Sequence, residues 1–500
     1  MGIVEHLFDH KAEVGLYAGL LIVSWKAVVY TFRLFGHPLS SIPGPKIAAA
    51  SRLYEFYWDS IQQGRLWAQL PKLHKKYGPI IRLGPNEVHI GDSTYFDTLF
   101  GFNTLKKEAM TAKQYGLSHA LFATEDYETW ARKKAAFGDS FSRRKALQLK
   151  DMIDERISRA CDKIRDHSNE DKTIDLALIF RATPAEIATQ FLFGEDYGFL
   201  EDEQMSANMC DKSYDSVLGL THLGRFTPFW FPLLWSLLRQ QIKMLLGFRE
   251  PGAAFLAFFK ANLNHAVMFE VFLNHKSLRE SERTVDTLAQ HAMTIWSGGW
   301  ETVGYTLTSG TYAVLRNRQV MERLQKELVN AWPNPDTNPP MSTLDNLPYL
   351  NAVIKETFRT SPGAVCRLTR VNETEPTHFQ GYTLPPGTLM SMSLPMVLDD
   401  PSIWGPDHDV FRPERWLEPG AEKLERYLVN FSKGTRVCPG IELARIETRL
   451  IIGTLFRRFD MSIPADAHLT DEDIYAYYDG FTPVSKSKKH SLPVKATPLK

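Results

Sequence analysis

Cysteine is scarce in this chain: its 500 residues include four, Cys161, Cys210, Cys366 and Cys438, and no two of them have the short spacing of a metal-binding pair. This scattered arrangement is typical of a reducing compartment and argues against a disulfide scaffold or a zinc site. Net charge is absent as well, because 58 basic residues balance 58 acidic ones. The charge balance therefore gives no reason to expect a nucleic-acid partner.

Long hydrophobic runs are also missing, with one exception near the N-terminus. Residues 14–32 are mostly apolar and are interrupted only by Lys26, and at about 1.5 Å per residue such a helix just spans a bilayer core. The leading segment is acidic and no small-residue cleavage site follows, which argues against a cleaved signal peptide. Positive charges follow the run. We therefore expect a lumenal segment at 1–13, a transmembrane anchor at 14–32 and a cytosolic body at 33–500 on the endoplasmic reticulum.

A second apolar stretch runs from Phe226 to Leu238. It is too short to cross a bilayer, and Pro228 and Pro232 interrupt it. Two interpretations stay open for it: an ordinary buried segment, or a surface patch that dips into the membrane. Elsewhere helical patterns dominate from Arg65 to Leu328, and strand-like runs occur near 80–90, 369–389 and the C-terminus.

One cysteine stands in an unusual context. Cys438 belongs to the run 431–440, FSKGTRVCPG, directly before an amphipathic stretch at 441–459 that predicts a helix. Pro439 suits a first helical position, and the N–H groups at that helix end favour a thiolate. The two glycines of the run permit a tight turn close to a flat ligand, and Arg436 offers a cation for a carboxylate. An axial thiolate of this kind binds haem iron and promotes O–O cleavage.

The spacing F-x-x-G-x-R-x-C-x-G resembles the cysteine loop of the cytochrome P450 family of haem-thiolate monooxygenases. The alternative is a buried structural cysteine in a glycine-containing turn. The resemblance implies that Cys438 ligates the iron of haem b, with Phe431 and Arg436 also at the cofactor. It implies a mainly α (α+β) fold with a long central helix, a smaller β-rich lobe and an N-terminal transmembrane helix. Residues 33–500 would form the monooxygenase domain, and 43–45 (Pro-Gly-Pro) the hinge after the anchor.

A further motif lies inside the stretch 284–318, which predicts one long helix. Two adjacent glycines, Gly298 and Gly299, cost roughly 2 kcal/mol there relative to alanine, and close helix packing is the simplest explanation. Glu301 and Thr302 follow, and together these residues are similar to the family's oxygen-binding motif. Glycine leaves room for dioxygen, and the Thr302 hydroxyl can bond the Gly298 carbonyl four residues earlier. The resemblance implies that Thr302 and Glu301 deliver protons.

Helical periodicity predicts which residues near this motif share a face of the helix. Thr294, Gly298 and Thr302 recur every four positions and should share the stripe that faces the haem. Trp296 and Trp300 form their own pair on another face, where we expect core packing.

Glu356 and Arg359 lie on one face of a predicted helix at 350–359, and Arg415 follows in the run FRPERW at 411–416. Pairs of this kind are usually solvated surface ions. The order resembles the family's buried Glu–Arg–Arg cluster, which implies that these three residues hold the haem-loop architecture and take no part in the chemistry.

The two haem propionates need cations. In the resembled family a tryptophan and an arginine four residues later supply one contact, and here Trp130 and Lys134 match, with lysine in place of arginine. Arg370 matches another propionate position. The alternative for residues 132–134 is a solvated basic helix face. Substrate contacts are expected in four apolar or small segments, which suit a hydrophobic molecule: Leu121–Phe122, Thr294–Gly298, Gly363–Val365 and Phe481.

No flavin or nicotinamide fingerprint accompanies these motifs, so electrons must come from a partner. The resemblance implies a separate NADPH–cytochrome reductase that docks near Lys433 and Arg445. The cysteine loop looks like those of filamentous-fungal microsomal members, which implies that O2 is used to hydroxylate or epoxidise a terpenoid or related secondary metabolite. Three alternatives stay open: a haem-thiolate isomerase or dehydratase that uses no reductase, a non-catalytic membrane haem-binding protein, and a thiol-nucleophile enzyme.

Overall fold

The structure of the protein, a computed structural model, describes residues 11–101, 105–108, 117–202, 267–489 and 491–499. The apolar stretch predicted at 226–238 lies outside these residues. The α-helices of the described residues are Lys11–Thr31, Lys46–Ala50, Leu53–Phe56, Leu70–Tyr77, Phe96–Phe100, Tyr127–Ala136, Arg143–Gln148, Lys150–Asn169, Leu176–Phe193, Val267–Leu273, Val285–Leu315, Arg318–Ala331, Met341–Asp345, Pro348–Thr360, Leu394–Leu398, Pro401–Trp404, Ile441–Arg458 and Asp471–Ile474.

The strands form small sheets, mostly in the regions where the sequence predicts them. They are β1 (Ile80–Gly84), β2 (Glu87–Ile90), β3 (Ile174–Asp175), β4 (Arg367–Val371), β5 (Thr377–Phe379), β6 (Tyr382–Leu384), β7 (Leu389–Ser393), β8 (Phe459–Ser462), β9 (Tyr478–Gly480), β10 (Thr482–Val484) and β11 (Pro493–Pro498). The exception is β3, which lies in the stretch predicted as helical and pairs with the C-terminal strand β11. The largest sheet has the order β1-β2-β7-β4, in which β2 and β7 are parallel and the other neighbours antiparallel. This mainly helical body with a smaller β-rich lobe is the fold class that the sequence predicts.

The helix Val285–Leu315, called the central helix below, runs through the core. The Thr284 side chain caps its first turn by accepting the Thr287 N–H (3.2 Å). The predicted single helix at 284–318 is slightly too long, because Asn317 has extended dihedrals and caps a new helix at Arg318–Ala331. Trp296 and Trp300 are buried with ring centroids 5.5 Å apart, which confirms the predicted packing role.

The N-terminal helix Lys11–Thr31 continues into a π-helical turn at Phe32–Gly36. A span at Gly15–Phe35 is long and apolar enough to cross a membrane, and its apolar part is not buried against the body. The exit of this helix is fixed by backbone contacts, since Arg82 Nη1 donates to the Arg33 carbonyl (2.7 Å) and Arg33 Nη1 donates to the Ala50 carbonyl (2.8 Å).

The segment after this helix has an inverted amphipathic pattern. Leu53, Tyr57 and Ile61 recur every four positions on one helical run and are 60%, 47% and 57% exposed. The opposite, buried side carries Glu55 and Asp59. Both carboxylates contact the buried guanidinium of Arg367 in β4. Apolar side chains therefore face outward and charges inward, the reverse of the pattern of a helix on a water-facing surface.

Candidate active site

The cysteine loop is held by its own backbone and by the chain at residue 101. The Cys438 N–H donates to the Phe431 carbonyl (2.9 Å). Gly434 has φ +66°, and a Cβ there would overlap the Gly101 carbonyl, so only glycine fits. Pro439 does not take the first helical position that the sequence predicts. The helix begins at Ile441, because the Cys438 carbonyl first accepts the Ile441 N–H (3.4 Å) in a tight turn.

The electrostatics of the thiol differ from the helix-end prediction. Burial raises the pKa of Cys438, and the hydrogen bond from the Gly440 N–H lowers it by less. Desolvation of the thiolate therefore affects the pKa of Cys438 more than the backbone N–H at the helix end does. A coordinating cation deprotonates a thiol outright, so this sulfur becomes a thiolate when it ligates a metal.

The central helix has one open face. Thr294, Gly298 and Thr302 are incompletely buried, whereas most of the helix from Val303 to Val314 is buried. The Thr302 hydroxyl donates to the Gly298 carbonyl (2.6 Å), and a Cβ at Gly298 would meet nothing within 4 Å. The structure thus places on one accessible stripe the three residues that the periodicity groups together.

Glu301 lies on another face of the same helix. Its carboxylate accepts from Nε and Nη2 of Arg181 (3.0 and 3.1 Å), on the helix Leu176–Phe193. Burial raises the pKa of Glu301, and the Arg181 guanidinium lowers it. No local pattern in the sequence marks Arg181, because nothing in its context distinguishes it from a surface arginine.

Two buried arginines and one half-buried lysine lie beside the cysteine loop. Arg436 donates to the carbonyls of Thr124 and Glu125 (2.7 and 2.6 Å), and Arg370 donates to the Thr369 carbonyl (2.9 Å). Lys107 Nζ donates to a backbone carbonyl at 3.0 Å. In the part of the chain that the structure describes, none of these three cations forms an ion pair.

The three cations repel one another. Burial, together with the charges of Arg370 and Arg436, lowers the pKa of Lys107 to about 7. Burial and the charge of Arg436 lower the pKa of Arg370 to about 9, and burial lowers the pKa of Arg436 to about 10. No sequence motif marks Lys107. Its neighbour Lys106 is also a lysine, but the Lys106 side chain is exposed and pairs with Glu373.

Trp130 connects this group to Lys134. The Trp130 ring centroid lies 5.2 Å from Arg436 Cζ and 4.9 Å from Lys134 Nζ. Burial lowers the pKa of Lys134. The alternative of a solvated basic face does not describe this helix, since Arg132 bonds Glu282 (2.7 Å) and Lys133 is buried against the His119 carbonyl (2.9 Å).

Glu356, Arg359 and Arg415 lie together and are buried. The Glu356 carboxylate accepts from Arg359 (2.7 and 3.0 Å) and Arg415 (3.0 Å), and also from Trp416 Nε1 (2.9 Å) and the Arg412 N–H (2.9 Å). Both arginines also donate to backbone carbonyls at 398–410. Losing one partner of such a cluster typically costs about 3–5 kcal/mol.

Three of the predicted substrate segments meet at Phe481. The Val365 N–H donates to the Phe481 carbonyl (3.0 Å), and the Phe122 and Phe481 rings are 5.3 Å apart, edge to face. The loop before Phe122 is tied to the central helix, because the Leu121 N–H donates to His291 Nδ1 (3.2 Å). The fourth segment, Thr294–Gly298, belongs to the open helix face.

These features fit a haem. A half-buried thiol, an accessible helix face with room at Gly298, and a group of cations without carboxylate partners among the described residues match an iron, a flat macrocycle and two propionates. A family model described as cytochrome P450 matches residues 53–481. The chain belongs to the cytochrome P450 family.

The relatives of this cytochrome P450 are fungal proteins. It is 30% identical to the cytochrome P450 monooxygenase sdnE of Sordaria araneosa, over 96% of this chain and 97% of that one. It is 31% identical to the monooxygenase TRI4 of Fusarium sporotrichioides, over 93% and 92%, and 30% identical to conidiogenone synthase PchP450 of Penicillium rubens, over 86% and 89%. The protein is accordingly a haem-thiolate monooxygenase.

We expect Lys107→Ala to weaken haem retention, because this half-buried lysine supplies charge that a propionate would neutralise. Loss of a buried charged hydrogen bond of about 1.5–3 kcal/mol corresponds to a roughly tenfold to hundredfold faster transfer of haem to apomyoglobin. The matched control is Lys106→Ala, whose exposed ion pair should contribute little. Equal transfer rates from the two variants would contradict a cofactor role for Lys107.

Proposed function

We propose that this cytochrome P450 is a membrane-anchored enzyme that uses O2 and electrons from NADPH, relayed by a separate reductase, to hydroxylate or epoxidise a hydrophobic secondary metabolite. The observation that carries the proposal is the open face of the central helix at Gly298 and Thr302, in a chain that also carries the Cys438 loop. A fungal relative named conidiogenone synthase supports the oxidation of a metabolite. The apolar surroundings of Phe122, Val365 and Phe481 favour a lipophilic substrate.

In this proposal the residues divide the work. The haem, when bound, supplies the redox chemistry that activates O2. Cys438 holds the iron, Phe431 accepts the Cys438 N–H through its carbonyl, and Arg370 and Arg436 bind propionates together with Lys107 and Lys134.

Two residues of the central helix, Thr302 and Glu301, deliver protons in this proposal. The Thr302 hydroxyl, fixed on the Gly298 carbonyl, has a lone pair and a rotatable proton to offer at the open face. Glu301 stores the proton on a buried carboxylate. The Glu356, Arg359 and Arg415 cluster positions the chain around the loop without contacting reactants.

The test uses the full chain produced with a NADPH–cytochrome reductase in a host that makes the candidate metabolites. Cys438→Ala should abolish the thiolate-type absorption band of the reduced carbon-monoxide complex. Thr302→Ala should keep that band but lower product per NADPH on the order of a hundredfold, the low end for loss of a positioned proton donor. The matched control is Thr306→Ala, whose hydroxyl also bonds a carbonyl four residues earlier (2.8 Å).

Product formation without NADPH or reductase would favour the isomerase or dehydratase alternative. A normal band with no oxygen consumption would favour a non-catalytic haem protein. Full turnover by Cys438→Ala would overturn the proposal.

Reductase docking is proposed on the surface formed by the start of the helix Ile441–Arg458 and the helix Arg143–Gln148. Lys433 is a weaker candidate than the sequence suggests, because it pairs with Asp97 (2.5 Å), which also binds Arg426. Arg445 is exposed and only loosely held by Glu442 (3.2 Å).

We expect Arg445→Glu to raise the KM for the reductase several-fold at low ionic strength, with the difference vanishing at high salt. Arg318→Glu is the control, since Arg318 is an exposed, paired arginine on another helix. A KM unchanged by Arg445→Glu at low salt would contradict docking at this surface.

Membrane attachment is supported by the apolar span Gly15–Phe35 and by the outward-facing Leu53, Tyr57 and Ile61 close behind it. We propose residues 1–13 as the lumenal segment, 14–32 as the anchor and 33–500 as the cytosolic domain on the endoplasmic reticulum. The full chain should stay in the pellet after alkaline carbonate extraction and sediment with reticulum markers, and the substitutions Leu20→Arg and Val23→Arg should release it. Release of the unaltered chain would contradict the anchor.

A further inference from the structure

Two neighbouring side chains of the central helix hold the backbone of one loop, residues 117–125, which we call the clamped loop. Gln290 Oε1 accepts the His119 N–H (2.8 Å), and His291 Nδ1 accepts the Leu121 N–H (3.2 Å). Both acceptor residues are buried, and His291 is only 1% exposed. Other N–H groups form the turns within the loop. The helix therefore supplies the partners for two backbone donors that these turns do not use.

Packing alone does not explain the histidine. Its ring lies against the rings of Phe137 and Phe272, with centroids 5.3 and 5.0 Å away. Burial lowers the pKa of His291 to about 3, so the ring is neutral and, because Nδ1 accepts a hydrogen bond, its proton is on Nε2. Nε2 has no hydrogen-bond partner among the described residues, and such a buried group costs about 1–3 kcal/mol. A phenylalanine would fill the same space without this cost. What the histidine adds is the Nδ1 lone pair that holds Leu121.

The Gln290 side chain is fixed in the orientation that the loop needs. Its Nε2 donates to Asp286 Oδ2 (2.7 Å), one helical turn earlier. A carboxylate oxygen can only accept, so the amide nitrogen must face Asp286 and the amide oxygen is left for the His119 N–H. The carbonyl of the same loop residue accepts from Lys133 Nζ (2.9 Å). Both polar groups of this peptide position are thus held by side chains.

The other end of the clamped loop is held at the cations beside the cysteine loop. Lys107 Nζ donates to the Phe122 carbonyl (3.0 Å). Arg436 donates to the carbonyls of Thr124 and Glu125 (2.7 and 2.6 Å). The middle of the clamped loop therefore lies between two sets of anchors, one on the central helix and one at the cations.

The anchors on the central helix lie at one end of its open face. His291, Thr294 and Gly298 are three and four residues apart, so they share one stripe. Exposure falls along this stripe, from exposed Gly298 through half-buried Thr294 to buried His291. At 1.5 Å per residue, His291 is about 10 Å from Gly298 along the helix axis. Beyond this anchor the Phe122 ring packs edge to face against Phe481 (5.3 Å). The clamped loop thus covers the stripe at a distance comparable to the length of a small molecule.

We propose that Gln290 and His291 are positioning residues for substrate specificity: they fasten the clamped loop across the end of the open face and thereby limit the length of the ligand accepted there. They contact the backbone of the loop and act on the ligand through it. The inference rests on the proposed function, because it takes the open face as the place where the substrate lies beside the haem.

The first test measures amide hydrogen exchange in peptides covering residues 117–125 of the full-length holoenzyme. His291→Phe and Gln290→Met should each raise the exchange rate about fivefold, since each removes a hydrogen bond worth about 1 kcal/mol. His291→Asn should keep the rate, because the asparagine oxygen can accept in place of Nδ1. Gln325→Met is the matched control, since that amide bonds the Phe459 carbonyl elsewhere (3.1 Å). Unchanged exchange in His291→Phe or Gln290→Met would overturn the role of the residue concerned.

The second test measures the dissociation constants of two imidazoles, from the red shift of the haem absorption band when a nitrogen ligates the iron. Imidazole itself occupies only the space beside the iron, whereas a biphenyl-substituted imidazole must extend along the open face. His291→Phe and Gln290→Met should tighten the long ligand at least about threefold relative to imidazole. His291→Asn and Gln325→Met should leave the ratio unchanged. An unchanged or reduced preference for the long ligand, in a variant whose loop exchanges faster, would overturn the proposal.

The readouts separate this role from a general loss of structure and from failure of the proposed function. A merely structural defect would weaken both imidazoles together, and the variants are compared at equal content of the thiolate-type carbon-monoxide band. If imidazole gave no red shift in the unaltered protein, the proposed function would fail, whatever the hydrogen exchange of the loop.

Discussion

A buried charge needs a counter-charge, and this protein meets that requirement differently at three sites. At Glu356 one carboxylate satisfies two arginines, an indole N–H and a backbone N–H. At Arg367 one guanidinium satisfies Glu55 and Asp59 and bonds Glu87 (2.6 Å). Beside the cysteine loop, in contrast, Lys107 and its arginine neighbours depress one another's pKa values. In the proposed function, the two propionates of the haem supply the negative charge that these cations lack among the described residues.

The central helix has two faces with different roles. Its open face carries small and hydroxyl side chains, with Thr302 held on the Gly298 carbonyl. Its opposite side is core, with Trp296 and Trp300 packed together. Glu301 lies between these roles, because it is next to the open face in sequence but bonded to Arg181 in space. One turn of the central helix therefore contains both a core residue, Trp300, and a residue of the open face, Thr302.

The helical segment behind the anchor shows how an ion-pair network can serve a surface. Arg367 draws Glu55 and Asp59 inward, and the helical period then turns Leu53, Tyr57 and Ile61 outward. An apolar face directed away from the body suits contact with lipid. The hydrogen bonds from the Arg82 side chain to the Arg33 carbonyl and from the Arg33 side chain to the Ala50 carbonyl hold the N-terminal helix close to that face.

Spacing alone could predict much of this protein, because local geometry carries it. A four-residue repeat places Thr294, Gly298 and Thr302 on one stripe, and a three-residue step places Glu356 beside Arg359. The loop around Cys438 has a sequence specific enough to indicate a family. Pro439 shows the limit of such reasoning, since a hydrogen bond within the turn moves the helix start to Ile441.

Only the tertiary structure could decide which charges are buried and what each one faces. Lys106 and Lys107 are the same amino acid, yet Lys106 pairs with Glu373 near the surface, whereas Lys107 is half-buried and repelled by Arg370 and Arg436. Arg181 is 120 residues from Glu301 along the chain and bonds it directly. The sequence determined which helical faces and loops can carry chemistry, because these follow from periodicity. The folded chain decided the electrostatics, because desolvation and Coulomb energy depend on distances in space.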